Sequence, residues 1–148
     1  MRPRPTTRLL FCALLVAPCC RPAPAGELFA GPVEARVVRV IDGDTFDAQA
    51  HIWPGQTLRV RVRLRGIDAP EIRSRCAAEK AAGERARAAL EGMIGGATVR
   101  MRNIAGGKYY GRVLADVTTE TGEAVAERLL ADALARPYRG GRRESACR

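Results

Sequence analysis

The stretch from Arg59 to Glu71, reading Arg-Val-Arg-Val-Arg-Leu-Arg-Gly-Ile-Asp-Ala-Pro-Glu, constrains this chain more than any other. Val60, Val62 and Leu64 alternate with Arg59, Arg61, Arg63 and Arg65, the period of two expected of a strand with one buried face and one wet, cationic face. Gly66 loosens the backbone and Pro70 withholds a ladder hydrogen bond, so Asp68 and Glu71 are predicted on a stiff turn just past the strand end. A guanidinium, two carboxylates and a rigid loop in so short a span supply a clamp for a phosphate, a ligand for a hard metal and a base for water. The same residues also suit a plainer reading. Alternating arginines are commonly a solvated face, and Asp-x-Pro-Glu can simply close a turn before a helix, with Glu71 favoured near the helix N-terminus.

The start of the chain reads as an export signal. Arg2, Arg4 and Arg8 form a basic start, Leu9 to Val16 an apolar run and Ala23-Pro24-Ala25 a small-x-small site, which predicts a secretory signal peptide over residues 1–25 cleaved before Gly26. The apolar run is too short to span a bilayer core of roughly 30 Å. Cys19 and Cys20 suggest a lipid-anchored start, but their preceding residues, Pro18 and Cys19, are unsuitable for one. The expected location is the periplasm or the medium, without stable membrane insertion.

Loss of residues 1–25 removes four arginines and no acid, so the formal charge falls from +9 to +5. The remaining 26–148 can bury one core as a single domain, expected to be monomeric, and its basicity favours an anionic partner such as nucleic acid or an anionic surface. Three of the five cysteines leave with the signal, and Cys76 and Cys147 remain for an oxidising compartment. A Cys76–Cys147 disulfide is the economical expectation, worth about 4 kcal/mol in the chain-entropy picture; two separate thiols are the other reading. A two-cysteine zinc site lacks ligands, since His51 is the sole histidine and zinc wants four.

Residues 35 to 40 are β-rich, Asp42-Gly43-Asp44 is a turn signal and Thr45 to Ala50 continue as a second strand, predicting a hairpin. Trp53-Pro54-Gly55-Gln56 marks the turn before the arginine-striped strand. From Cys76 to Ile94, Ala82, Ala86, Ala89, Leu90, Met93 and Ile94 recur at helical spacing, predicting an amphipathic helix stopped by Gly95-Gly96. Thr98 to Asn103 and Arg112 to Val117 read as strands four and five. Val125 to Leu134 reads as a second helix with Leu129, Leu130 and Ala133 on one side, followed by a basic, glycine-bearing tail. The class is α+β, mainly β: a five-stranded OB-type barrel with one helix between strands three and four and a C-terminal helix, a fold whose face and loops commonly bind oligonucleotides. Fold alone does not give activity.

Two further clusters bear on chemistry. In Ile41-Asp42-Gly43-Asp44-Thr45 a glycine able to take unusual backbone angles frees two acids to point at a common site, although Asp-Gly turns are also commonplace structural features. Lys108-Tyr109-Tyr110-Gly111-Arg112 joins cations and aromatics at a strand start, where tyrosines covering the core are the structural alternative.

Together Ile41-Asp42-Gly43-Asp44-Thr45, Arg63 with Asp68-Ala69-Pro70-Glu71, and Tyr110-Gly111-Arg112, in this order and spacing, resemble the staphylococcal nuclease (thermonuclease) family; Val125-Ala126-Glu127 through Leu134-Ala135 match more loosely. The resemblance spans about residues 34–139. It implies that Asp44 and Asp68, with the backbone carbonyl of Ala69 and waters, ligate Ca2+, with Asp42 supporting from behind. It implies Glu71 as the general base, Arg63 and Arg112 as the arginines that hold the scissile phosphate, and Tyr110, Tyr109 and Lys108 as nucleotide contacts. The implied reaction is calcium-dependent hydrolysis of DNA and RNA, preferably single-stranded, leaving 3′-phosphates. Ala69 stands where the family often has Thr, but its implied ligand is a backbone oxygen. Lys108-Tyr109 replaces the family's Asp-Lys, which bears on affinity more than on chemistry. The alternative function is a non-catalytic exported OB-fold module that grips nucleic acid through Arg59, Arg61, Arg65 and the tail; clustered carboxylates would repel a polyanion in such a binder.

Overall fold

A computed structural model describes residues 27–107 and 109–141. The expected signal peptide, Lys108 and Cys147 lie outside the described residues. The elements in chain order are β1 (Leu28–Phe29), β2 (Val33–Asp42), β3 (Thr45–Trp53), β4 (Gln56–Leu64), β5 (Ile67–Asp68), α1 (Ala77–Ile94), β6 (Thr98–Gly106), β7 (Arg112–Thr119), α2 (Val125–Ala131) and β8 (Arg136–Pro137).

Five long strands close on themselves. β6, β2, β3, β4 and β7 pair in that order and β7 pairs back to β6, every contact antiparallel except β4 with β7. Closure removes the exposed strand edges that an open sheet would present. This is the expected mainly β barrel of OB type. α1 enters between the third and fourth barrel strands, though the two-residue β5 precedes it, so in the full count α1 follows the fifth strand. β1 on β6 and β8 against β5 were not legible as strands; pairs this short are made by their partners rather than by their own sequence.

The predicted alternation is realised on β4, where Val60, Val62 and Leu64 point inward and Arg59 and Arg61 outward. They join Phe46, Val99, Met101, Leu90, Ile94, Val125 and Leu129 in one core. α1 buries Gly83, Ala86, Leu90 and Ile94, a stripe at helical spacing, and its end is closed by the Gly95 N–H to the Glu91 carbonyl, 2.8 Å. Gly83 has a packing reason, since a Cβ there would lie 2.7 Å from the Pro70 carbonyl. α2 is shorter than predicted. It stops at Ala131, Ala133 takes a left-handed φ of 53° and is exposed rather than core-facing, and Leu134 turns back to the Leu129 carbonyl at 2.9 Å. No helix among the described residues is long and apolar enough to cross a membrane.

Candidate active site

The acids are assembled by two turns that pack against each other. In the β2–β3 turn, Gly43 has no left-handed φ, contrary to the expectation of unusual backbone angles. It is needed for closeness: a Cβ there would lie 2.6 Å from Ala86 Cβ on α1 and 2.7 Å from Ala69 Cβ. With no side chain at Gly43, helix, hairpin and β5 loop meet at one point. The Leu64 N–H then donates to the Asp44 carbonyl at 2.9 Å and the Ala69 N–H to Asp44 Oδ2 at 3.0 Å, binding the two turns together. Gly66, at a φ of 80°, makes the reversal that returns the chain from β4 to β5.

Arg63 lies at the centre, and its surroundings correct the sequence reading. Alternation predicted it on the wet face, yet it is 9% exposed. Its guanidinium pairs with Asp44 Oδ1 through one terminal nitrogen and donates through the other to Asp68 Oδ1 at 3.0 Å and the Ile67 carbonyl at 3.2 Å. Asp44 and Asp68 are each 2% exposed. Asp44 Oδ1 also accepts from the Thr45 hydroxyl at 2.9 Å, and Asp68 Oδ2 accepts from Arg136 at 3.2 Å. Burial works against the charge on Arg63, but Asp44 and Asp68 more than offset it and raise the affinity of the guanidinium for its proton.

Asp42 sits behind this pair, its Oδ1 accepting the Asp44 N–H at 3.3 Å. Burial, then the charge of Asp44, pushes its carboxyl up from 3.8 to about 6. Glu71 is half-buried on the loop after Pro70, and its Oε1 accepts the Arg73 N–H at 3.2 Å. Arg112, on β7, lines one groove of about 580 Å³ with Arg63, Tyr109 and Tyr138. Its guanidinium lies 4.7 Å from the centre of the Tyr109 ring, a cation–π contact. Tyr109 is therefore the tyrosine against the arginine, while Tyr110 is fully exposed. Cys76 caps α1 and is disulfide-bonded.

Two participants were missed. Arg136 read as part of a basic tail, but β8 pairs with β5, Asp68 opposite Arg136, and the Tyr138 N–H donates to the Gly66 carbonyl at 2.8 Å. The C-terminal segment thus straps the Asp68 turn and supplies its second cation. Nothing local in the sequence signals a partner this far along the chain.

The sequence profile described as staphylococcal nuclease homologue matches residues 61–146, more than half of the chain. This chain belongs to the staphylococcal nuclease homologue family. Arg63, Asp68, Glu71 and Arg112 fall inside the matched span, whereas the Asp42–Asp44 turn precedes it and is joined to it by the barrel. Protein ParB of Escherichia coli is 50% identical over 62 residues, which make up 42% of this chain and 29% of ParB. The aligned segment therefore covers less than a third of that relative. Membership points to a nuclease or nucleic-acid-binding function in a family that uses a metal cofactor.

The residues fit a hard cation. Two buried carboxylates converge on one guanidinium, an arrangement of charge that an oxygen-seeking ion also satisfies. Among the described residues no group of three or more His, Cys, Asp or Glu could hold a metal, so such an ion would rest on Asp44 and Asp68. Carbonyl and water oxygens would complete its shell, as is usual for hard divalent ions held by one or two carboxylates.

Proposed function

We propose that this chain is an exported, calcium-dependent nuclease that hydrolyses phosphodiester bonds of single-stranded DNA and RNA and leaves 3′-phosphates. The observation that carries the reading is the burial of Arg63 between Asp44 and Asp68 on a groove it shares with Arg112. A lone surface arginine binds any anion, but one held against two buried acids at a groove is organised for exchange of partners. Bound at Asp44, Asp68 and the Ala69 carbonyl, with Asp42 behind, the ion would supply charge neutralisation for phosphate oxygens and a lowered pKa for water.

The chain's own residues do the rest. Arg112, propped by Tyr109, offers paired N–H donors to a phosphate entering the groove, and Arg63 meets it from the inner wall. Both suit the spread charge of a five-coordinate phosphorus better than lysines would. Glu71 takes the proton from the attacking water as its oxygen bonds to phosphorus; the P–O5′ bond breaks, the 5′ oxygen takes a proton from solvent, and the phosphate stays on the 3′ side. The barrel holds these groups on rigid strand ends, so few degrees of freedom must be fixed when substrate binds.

The test is degradation of heat-denatured DNA and of RNA by the purified protein with calcium and with a chelator, with end-group analysis of the products. Calcium-dependent cleavage leaving 3′-phosphates is expected. Salt-sensitive binding without cleavage under either condition would instead assign the protein to the non-catalytic OB-fold module.

A further inference from the structure

The barrel register places four charged residues in one row. Arg39 on β2 is opposite Asp47 on β3, Asp47 is opposite Arg61 on β4, and Arg61 is opposite Arg112 on β7. Neighbouring strands are about 4.8 Å apart, so the row runs about 14 Å around the barrel from Arg112. Asp47 organises it. Its Oδ2 accepts from Arg39 Nε at 3.1 Å and its Oδ1 from Arg61 Nε at 2.8 Å. The hydrogen bond from Arg61, with that from Arg39, holds the Asp47 carboxyl below its ordinary value. One acid thus aligns two arginines and leaves the row with a net positive charge.

The surface follows the same row. The groove of Arg63 and Arg112 shares Arg112 and Tyr109 with a second groove, about 340 Å³, that contains Arg61 and Tyr110. That groove shares Arg61 with a third, about 480 Å³, where Arg39 is joined by Arg73 and by Arg87 of α1. The exposed Tyr110 stands on the second groove as a surface on which a base can stack.

We propose that this arginine row is a substrate track: a single strand whose scissile phosphate lies at Arg63 and Arg112 continues past Tyr110 and Arg61 to Arg39 and Arg87. The inference rests on the nuclease reading and extends it from one phosphate to several successive nucleotides. Asp47 lowers the entropic cost of binding by holding two long side chains in place beforehand. The concave, aromatic-bearing course, continuous with the candidate active site, favours a nucleic-acid strand over a flat anionic membrane.

The experiment compares the full chain with the Arg39→Gln/Arg87→Gln variant and a charge-matched Arg100→Gln/Arg102→Gln control, whose positions line none of the three grooves. Fluorescence anisotropy with chelator present measures binding of a dinucleotide and of single strands across the ~4–16 nucleotides that an OB fold covers. The unaltered protein should gain affinity with length. The track variant should lose about tenfold on the longest strand, with a salt slope reduced by about 1.4 for two phosphates, and bind the dinucleotide as before; in a separate assay with calcium it should cleave the dinucleotide at the parent rate. Circular dichroism checks that each variant is folded.

Equal loss in the control, or unchanged long-strand affinity in the track variant, would overturn the track while leaving the nuclease reading in place. Anionic phospholipid vesicles are titrated in parallel, and a loss confined to them would overturn the track in favour of a membrane surface. If the unaltered protein bound no strand of any length, both the track and the reading beneath it would fail.

Discussion

Replacing Arg63 with Met should destabilise the protein in a way that a divalent cation repairs. The substitution keeps the bulk of the side chain and removes the guanidinium on which Asp44 and Asp68, each 2% exposed, converge. Removing one partner of a buried ion pair costs about 3–5 kcal/mol. Asp68 keeps Arg136, and Asp44 keeps the Ala69 N–H and the Thr45 hydroxyl, so the lower end, about 3 kcal/mol, is expected. With a urea dependence of about 1–3 kcal/mol/M, the unfolding midpoint followed by circular dichroism in chelator should fall by about 1–3 M. Calcium added at about 100 times its Kd should restore about 2.7 kcal/mol, because the ion then neutralises the two buried carboxylates. In the unaltered protein the ion must first displace Arg63, so the same addition should stabilise it less. A variant within about 0.5 kcal/mol of the parent in chelator, or equal stabilisation of both proteins by calcium, would refute the reasoning.

Glu71→Ser should lower single-turnover cleavage by about 10²–10⁴ while oligonucleotide binding is retained, as removal of a general base alone requires; near-normal rates would reassign the base. For Asp42 the folded value, about 6, lies above the ordinary 3.8, so its ionised form weakens the fold, a penalty absent at low pH that grows as pH rises between those values. Asp42→Asn should therefore gain about 1–2 kcal/mol at pH 7 in chelator, discounted for its partial exposure, and little below pH 4; denaturant unfolding across pH measures it, and a gain independent of pH would count against the assignment. Gly43→Ala should cost about 1–3 kcal/mol by forcing a Cβ against Ala86 and Ala69, visible as a lower Tm, and should weaken divalent-ion binding by shifting Asp44 relative to Asp68.

The periodic parts of the fold were the legible parts. Val60, Val62 and Leu64 announced a strand, and Ala86, Leu90 and Ile94 announced the face of α1, because burial at a fixed period leaves a local pattern. The candidate residues were legible through a resemblance of three short clusters in order. What could not be read was closeness across the chain. Arg63 belongs by pattern with Arg59 and Arg61, yet the β2–β3 turn and the β5 loop close over its end of the strand and bury it alone of the three. Gly43 was read as a residue of unusual backbone angles, and it is a point of close contact. Arg136 and Tyr138 were read as tail, and they complete the site because β8 returns to β5.

These corrections describe one arrangement of charge. Asp44 and Asp68 are matched by Arg63 and Arg136, which leaves Asp42 as the surplus acid, its pKa raised by burial first and by the charge of Asp44 second. A set already balanced by guanidiniums has no room for a divalent ion in addition to them, since two further positive charges would be buried against the same oxygens. Admission of an ion would therefore require exchange, with Arg63 giving up Asp44 and Asp68, and the ionised Asp42 would offset part of the added charge. The released guanidinium is already on the wall of the groove it shares with Arg112, where a phosphate is its natural next partner. On the nuclease reading, ion and phosphate would favour each other's binding through Arg63, and calcium should tighten oligonucleotide binding to the parent more than to Arg63→Met.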